Sequence, residues 1–330
     1  MEFSLVAKNF LSPPILFFFL GVMAVMLKSD LKIPAGVGKF LTLYLLFDIG
    51  IKGGQELSHS GLDFKVLAIL GACLVMSLVV PYFAFKLLQL KLDNYNAGAI
   101  AASYGSVSAV TFATSIAFLQ LVDVPFGGYM VAAMAFMESP AIIAGLIFIR
   151  TSTKSEAHKD EITSGKNHKI KDVIRESLTN GSVLLLLGSL VIGYIAGDQG
   201  KSDLKPFVND IFKGMLCLYL LDMGLIAGEK LSDLKKSGLF LFLFAILFPL
   251  VCALGGIGFS YALHLTTGDA LLFTILCGSA SYIAVPAAMS AAVPQANMGL
   301  LIPMALGVTF PFNIIIGIPL YYNIIELLWK

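Results

Sequence analysis

Apolar residues run along this chain in long blocks, not in the short alternations of half-buried strands, and ten such blocks can be drawn. In the first half they cover 12–28, 34–51, 64–90, 97–119 and 127–149; in the second, 181–197, 207–227, 238–263, 269–292 and 299–323. Each approaches the roughly 20 residues that an α-helix needs to cross about 30 Å of hydrocarbon. The pattern predicts an all-α membrane protein with ten transmembrane helices.

The blocks repeat. Asp-Ile-Gly-Ile-Lys-Gly-Gly-Gln-Glu-Leu at 48–57 returns as Asp-Met-Gly-Leu-Ile-Ala-Gly-Glu-Lys-Leu at 222–231, and Gly105-Ser106-Val107-Ser108 returns as Gly278-Ser279-Ala280-Ser281. Five crossings per copy is an odd number, so the second copy would enter the bilayer upside down. The expectation is a 5+5 inverted repeat: residues 1–150, a polar linker at 151–177, and residues 178–330.

The second recurring motif lies inside otherwise apolar segments, the fourth and the ninth. Pro286 removes an N–H and crowds the carbonyl four residues back, which predicts unwinding near 281–285, and a matching break is expected at 105–108. Broken helices expose backbone groups in a bilayer only where they line a cavity. Helix N-termini suit a small anion, whereas C-terminal carbonyls and hydroxyls suit a cation. Gly105, Ser106, Ser108, Gly278, Ser279 and Ser281 are therefore the candidate anion-binding residues. The plainer alternative is that these small residues let helices pack closely.

Glu138 lies about twelve residues into its segment, near the bilayer centre, where a carboxylate costs at least ~2.5–3.5 kcal/mol on insertion scales. Pro140 follows it, and the mate segment offers Thr309, Pro311 and Asn313 at similar depth. Glu138, with Thr111 and Asn313, is the candidate cation-binding or proton-carrying group; a protonated carboxyl bonded within the bundle is the alternative. Asp48 and Asp222 occupy matching positions toward the ends of the second and seventh segments, and Asp48 has Lys52 one turn on. At the interface Asp48 and Lys52 can neutralise each other, so a structural salt bridge is the favoured reading and a transport role the alternative. Tyr282 is either packing or a hydroxyl at the break.

Composition agrees with the block pattern: 58% of residues are hydrophobic, 13% are charged against roughly 25% in soluble domains, and the mean hydropathy is +0.87. A net charge of +1 gives no reason to invoke nucleic acid. The four cysteines (Cys73, Cys217, Cys252, Cys277) fall within apolar segments without zinc spacing, and the four histidines fall in loops or at segment ends, so no metal or cofactor is expected beyond a transported sodium ion. Residues 1–10 lack a basic region and a small-residue cleavage site, and are not read as a cleaved signal. The linker carries six of the Lys and Arg residues, which places it in the cytoplasm and both termini outside. On that assignment fifteen Lys and Arg residues lie inside and seven outside, in keeping with it. The linker's mixed signs describe a mobile loop first and a docking site for a cytosolic regulator second.

Over Leu45 to Leu57, Gly105 to Thr111, Phe136 to Ala141, and Val293 to Asn297 with the run to Leu320, the chain resembles the sodium-dependent bicarbonate transporter family of cyanobacteria and other bacteria. The resemblance implies a homotrimer in the bacterial inner membrane, and an elevator-like core of helices three to five and eight to ten moving against a scaffold of helices one, two, six and seven. It also implies sodium and bicarbonate near the fourth and ninth helices and a small PII-like cytosolic regulator. Glu138 falls where the family pattern has an acidic residue before the same proline. The chain departs from that pattern after Ser281, where Tyr282, Ile283, Ala284 and Val285 replace Asp, Ile, Ser and Gly. Ala109 and Val110 likewise stand in place of Gly and Ser.

Together these readings point to a secondary transporter of a small anion, bicarbonate first, coupled to sodium or protons, and not to an enzyme. A short-carboxylate transporter, a proton-coupled cation exchanger and a non-transporting membrane receptor are the alternatives.

Overall fold

A computed structural model describes residues 8–60, 64–156, 181–234 and 238–329. Among them every regular element is helical: α1 (Pro13–Met26), α2 (Ala35–Ser60), α3 (Phe64–Leu88), α4 (Asn94–Gly105), α5 (Ala109–Leu121), α6 (Tyr129–Glu156), α7 (Gly181–Lys205), α8 (Phe212–Leu234), α9 (Gly238–Ala262), α10 (Thr267–Cys277), α11 (Ala284–Ala292) and α12 (Met298–Leu328). Seven of the described spans are long and apolar enough to cross a membrane, with α4 and α5 counted as one.

The helices sort by how much of their surface is covered. The most apolar stretch of α4–α5 is 89% buried, whereas that of α9 is 39% and that of α7 is 28%. The first is therefore the interior of the bundle. The outer helices turn large apolar side chains outward, such as Leu67, Leu74, Leu78 and Phe83 on α3 and Leu247, Val251 and Leu254 on α9. Patches of this extent fit a lipid environment better than water.

The Asp-x-Gly-x-x-x-Gly repeat has a packing explanation. α2 lies along α7, and a methyl group on Gly50 would come within 2.6 Å of Ser189 Cβ, while one on Gly54 would strike the Leu190 carbonyl oxygen. α8 lies along α1 in the same manner: a methyl on Gly224 would strike the Phe18 carbonyl oxygen, and one on Gly228 would come within 3.0 Å of Val25 Cβ. In each copy, the helix bearing the motif packs its glycines onto the first helix of the other copy. Close backbone approach through small residues is a main source of helix association in lipid.

Three features follow from local chemistry. Gly197 takes φ +51°, a region open to glycine, and kinks α7 where its apolar block ends. Pro303, Pro311 and Pro319 recur every eighth residue in α12, and π-turns at Ala305–Thr309 and Asn313–Gly317 lie between them. A wider turn relieves the clash and the lost N–H that proline imposes. The Asn9 side-chain amide donates to the Ile314 carbonyl at 2.8 Å within the second of these turns.

The boundaries revise two expectations. α2 and α8 extend beyond the apolar blocks that mark them, so Asp48 and Asp222 fall near the middle of their helices and not toward an end. Polar residues ended the blocks early, but tertiary packing carries the helices through them. α6 continues to Glu156, so the 151–177 stretch starts as helix; residues 157–180, and with them the expected docking site, lie outside the described residues.

Candidate functional site

Two interruptions meet inside the bundle. α4 ends at Gly105 and α5 starts at Ala109; α10 ends at Cys277 and α11 starts at Ala284. The first break falls where the sequence places it. The second lies further upstream than the expected 281–285, because Pro286 is the third residue of α11. In a helix's first turn the N–H has no partner to lose, so proline is tolerated there without ending the helix.

The break segments hold each other. Ser281 N–H donates to the Ser103 carbonyl at 2.8 Å, Ser103 Oγ donates to the Ser281 carbonyl at 2.6 Å, and Ser108 N–H donates to Ser279 Oγ at 3.1 Å. Ser108 also caps α5: its Oγ accepts from Thr111 N–H at 3.2 Å and from Thr111 Oγ1 at 2.9 Å. Ser281 Oγ accepts the Val285 N–H of α11 at 3.4 Å. Each serine thus serves the start of a half-helix, a position where main-chain donors are otherwise unsatisfied.

Gly105 and Gly278 let neighbouring helices close on the breaks. A methyl on Gly105 would lie 2.5 Å from Pro81 Cδ of α3, and one on Gly278 would lie 2.8 Å from Ala253 Cβ and 3.0 Å from the Pro249 carbonyl of α9. Both glycines contribute packing, and neither lines the cavity described next.

That cavity, about 30 Å³, is bounded by Val107, Ser108, Ala109 and Val110 on one break, by Ser281, Tyr282, Ile283 and Ala284 on the other, and by Glu138 of α6. Thr42 and Leu46 of α2 and Ser182 of α7 close it. The first turns of α5 and α11 therefore start on one small space, facing a carboxylate. The sequence-predicted residues Ser108, Ser281 and Glu138 are brought together here.

Others are not. Thr111 is buried behind Ser108, to which it is bonded. Asn313 is buried at the far end of the second break, where its Nδ2 donates to the Gly278 carbonyl at 2.8 Å and its Oδ1 accepts from Tyr321 at 3.3 Å. Thr309 donates to the Ala245 carbonyl at 2.7 Å and pairs with the Tyr104 hydroxyl at 2.8 Å. Ser106 and Ser279 are buried beside the cavity; Ser106 Oγ has no hydrogen-bond partner.

Two tyrosines complete the picture. Tyr282 is 7% exposed and Tyr219 of α8 is fully buried, and their hydroxyls lie close to Thr42, Ser108 and each other without reaching hydrogen-bond geometry. A buried hydroxyl without a partner costs about 1–3 kcal/mol. Polar groups left open around a cavity are what a bound polar solute would satisfy.

A second, larger cavity of about 680 Å³ adjoins the first and shares Thr42, Ser182 and Ile283 with it. It runs between α2 and α8, with Lys32 and Lys39, both exposed, and Asp222 and Tyr219 on its wall. Sequence reasoning missed Thr42, Ser182 and Tyr219, because single hydroxyls in apolar helices carry no pattern. The ion pair at Asp48 is present, Lys52 Nζ to Asp48 Oδ2 at 2.9 Å, but its acidic end is buried: Asp48 is 0% exposed, while the half-buried Lys52 sits over the Phe212 ring at 4.0 Å. Among the described residues no group of three or more His, Cys, Asp or Glu side chains could hold a metal ion, and the four cysteines are free.

Helices of membrane-spanning length around a cavity between broken helices, where serines and a carboxylate stand among apolar side chains, define a multi-pass membrane protein of transporter type. Residues 13–326 match the Na+-dependent bicarbonate transporter superfamily, and the chain belongs to that family. It is a transporter and not an enzyme. No curated protein matches the chain significantly.

Proposed function

We propose that this chain carries bicarbonate across the membrane together with a cation, sodium first, and that the solute binds where the two breaks meet. The observation that carries this reading is that the first turns of α5 and α11 and the Glu138 carboxylate share one cavity. Two helix N-termini supply partial positive charge and free N–H groups to an anion, Ser108 and Ser281 add hydroxyls, and Glu138 attracts the cation or takes up a proton. Tyr282, standing where the family pattern has a carboxylate, contributes a hydroxyl able to donate to an anion oxygen. A cavity of only about 30 Å³ favours a compact anion such as bicarbonate over a longer carboxylate.

The remaining architecture belongs to the same proposal. Ten crossings follow if α1, α2 and the α10–α11 pair span alongside the seven longer segments, and the reciprocal packing of α2 on α7 and α8 on α1 is what a 5+5 inverted repeat would give. α1, α2, α7 and α8 would form the scaffold of an elevator, and the broken helices would travel with its core. Positive charge at Lys32 and Lys39 supports a cytoplasmic mouth for the larger cavity, which goes with a bacterial inner membrane and both termini outside in the same proposal. A homotrimer and a PII-like regulator rest on the family resemblance alone.

Uptake of radiolabelled bicarbonate into proteoliposomes, under an imposed sodium or proton gradient, tests the reading. Concentrative uptake driven by one of the gradients is expected. Bicarbonate binding without uptake or counterflow would identify a receptor, and cation-dependent proton flux without bicarbonate movement would identify an exchanger.

A further inference from the structure

The two copies of the Asp-x-Gly motif have diverged in charge, and the difference one turn after the aspartate sets Asp48 and Asp222 apart. Asp48 has its countercharge built in, since Lys52 lies one turn on and its Nζ is 2.9 Å from the carboxylate. At the equivalent place after Asp222 the chain has Ile226. Asp222 is nevertheless 8% exposed, near the middle of α8, and among the described residues it has no hydrogen-bond or ion-pair partner. A carboxylate so placed is costly to keep charged without a partner.

Its surroundings offer oxygen ligands for such a partner. Asp222 lines the 680 Å³ cavity together with Thr42 and Tyr219, which bring two hydroxyl oxygens, and Tyr219 is a second buried polar group without a hydrogen-bond partner on the same wall. Asp222 Oδ2 rests against Gly38 of α2, where a side-chain carbon would overlap it, so the backbone leaves room for the carboxylate. The other charged groups on the wall are Lys32 and Lys39, which are exposed and not within ion-pair distance of Asp222, and Glu229, two turns further along α8. None of them neutralises Asp222.

We propose that Asp222, with the hydroxyl oxygens of Thr42 and Tyr219, binds a monovalent alkali cation in the larger cavity, as an exchangeable counterpart to the tethered Lys52 ammonium of the first copy. The proposal rests on the transport reading only for its purpose: a cation leaving the site at the breaks would pass Thr42, which borders both cavities, and reach Asp222 before the open solution. Oxygen donors of this type, one carboxylate and neutral hydroxyls, suit a small hard cation. The basic mouth and the acidic wall give the cavity both signs, as co-release of an anion and a cation would require.

Binding of 22Na+ to the purified full-length chain in detergent is the test, with Asp222→Asn, Ile226→Lys and Tyr219→Phe compared with the parent. Asp222→Asn should remove one saturable component of the isotherm. Ile226→Lys should remove the same component while leaving the carboxylate in place, because a lysine one turn on reproduces the first copy's pair. Tyr219→Phe should weaken that component about fivefold, the equivalent of one hydrogen bond. If Asp222→Asn does not give monodisperse protein, Ile226→Lys, which compensates the charge, decides alone. Isotherms of Asp222→Asn and Ile226→Lys that superimpose on the parent's overturn the proposal. A parent with no saturable sodium component also overturns it; gradient-driven bicarbonate uptake by that same preparation would leave the transport reading standing, so the two failures are distinguishable.

Discussion

Ser103 and Ser281 clasp each other reciprocally: the main-chain N–H of Ser281 donates to the carbonyl of Ser103, and the hydroxyl of Ser103 donates to the carbonyl of Ser281. One serine lies in the last turn of α4 and the other in the gap before α11, so this pair of bonds joins the two interruptions directly. Both residues are buried, and both bonds are short of 3 Å.

Ser103→Ala removes one of these bonds and leaves the Ser281 carbonyl without its donor. A loss of about 1–2 kcal/mol is expected, since an unmet buried acceptor costs more than the net value of the bond. Thermal unfolding in detergent should show a lower midpoint, and half-saturation of bicarbonate uptake should shift upward as the α11 N-terminus loosens. An unchanged midpoint would mean that the clasp does not hold the breaks together.

Pro286→Ala should leave the second break open. The helix ends at Cys277, nine residues before the proline, and the intervening backbone is fixed by Ser103, Ser108 and Asn313 through bonds that the substitution does not touch. Uptake within about twofold of the parent is expected, because proline in a first turn breaks no intrahelical bond. Abolished uptake would return to Pro286 the role that the sequence alone assigns it.

The contrast between these serines and that proline explains what could be read in advance. The break motifs were legible because Gly and Ser runs inside apolar blocks are rare and occur twice, and Glu138 was legible because an isolated carboxylate in such a block has a large desolvation cost. Asp48 and Asp222 were misjudged in depth: the apolar block ends at residue 51, yet α2 runs to Ser60, its polar residues being absorbed by packing against α7. The role of Asn313 depends on which carbonyl it meets, Gly278, thirty-five residues away. Thr42 of α2 and Tyr219 of α8 join Tyr282 at the break only through tertiary structure, and no periodicity in the two helices announces it.

Gly54→Ala and Gly71→Ala should have opposite signs. A methyl at Gly54 would collide with the Leu190 carbonyl and lie 2.6 Å from the Tyr194 nitrogen, both backbone atoms that cannot move aside, whereas nothing lies within 4 Å of a methyl at Gly71 on the outer face of α3. Forcing α2 and α7 apart should cost about 1–3 kcal/mol. The exposed substitution should stabilise by up to about 1 kcal/mol through helix propensity alone. Midpoints of thermal unfolding for the two variants, measured side by side, check the contrast.

Asp269 offers a test of a satisfied carboxylate. It is 2% exposed, and it accepts from Gly127 N–H and Thr266 Oγ1 at 2.7 Å each and from the Tyr129 hydroxyl, tying the start of α10 to the start of α6. Asp269→Ala strands three donors and should cost about 2–4 kcal/mol, while Asp269→Asn keeps an acceptor and should cost less. The order of the two midpoints distinguishes lost hydrogen bonds from lost packing. Equal losses would indicate that charge, not acceptor geometry, is what the site needs.

Glu138→Gln separates the charge of the cavity from its shape. Glutamine has nearly the same volume and keeps a carbonyl oxygen beside Ser108 and Ser281, so the helix starts that would hold the anion are left as they are. If the carboxylate holds the coupling cation, the initial rate of bicarbonate uptake at low sodium should fall by about ten- to a hundredfold, the worth of one charge-assisted contact. Raising the sodium concentration should then recover part of the rate, because the weakened step is cation binding. If the carboxylate carries a proton instead, the rate should fall to the same level at every sodium concentration, and a proton gradient should no longer drive uptake. A variant that responds to both gradients as the parent does would leave Glu138 as a buried structural group and move the coupling step elsewhere in the chain.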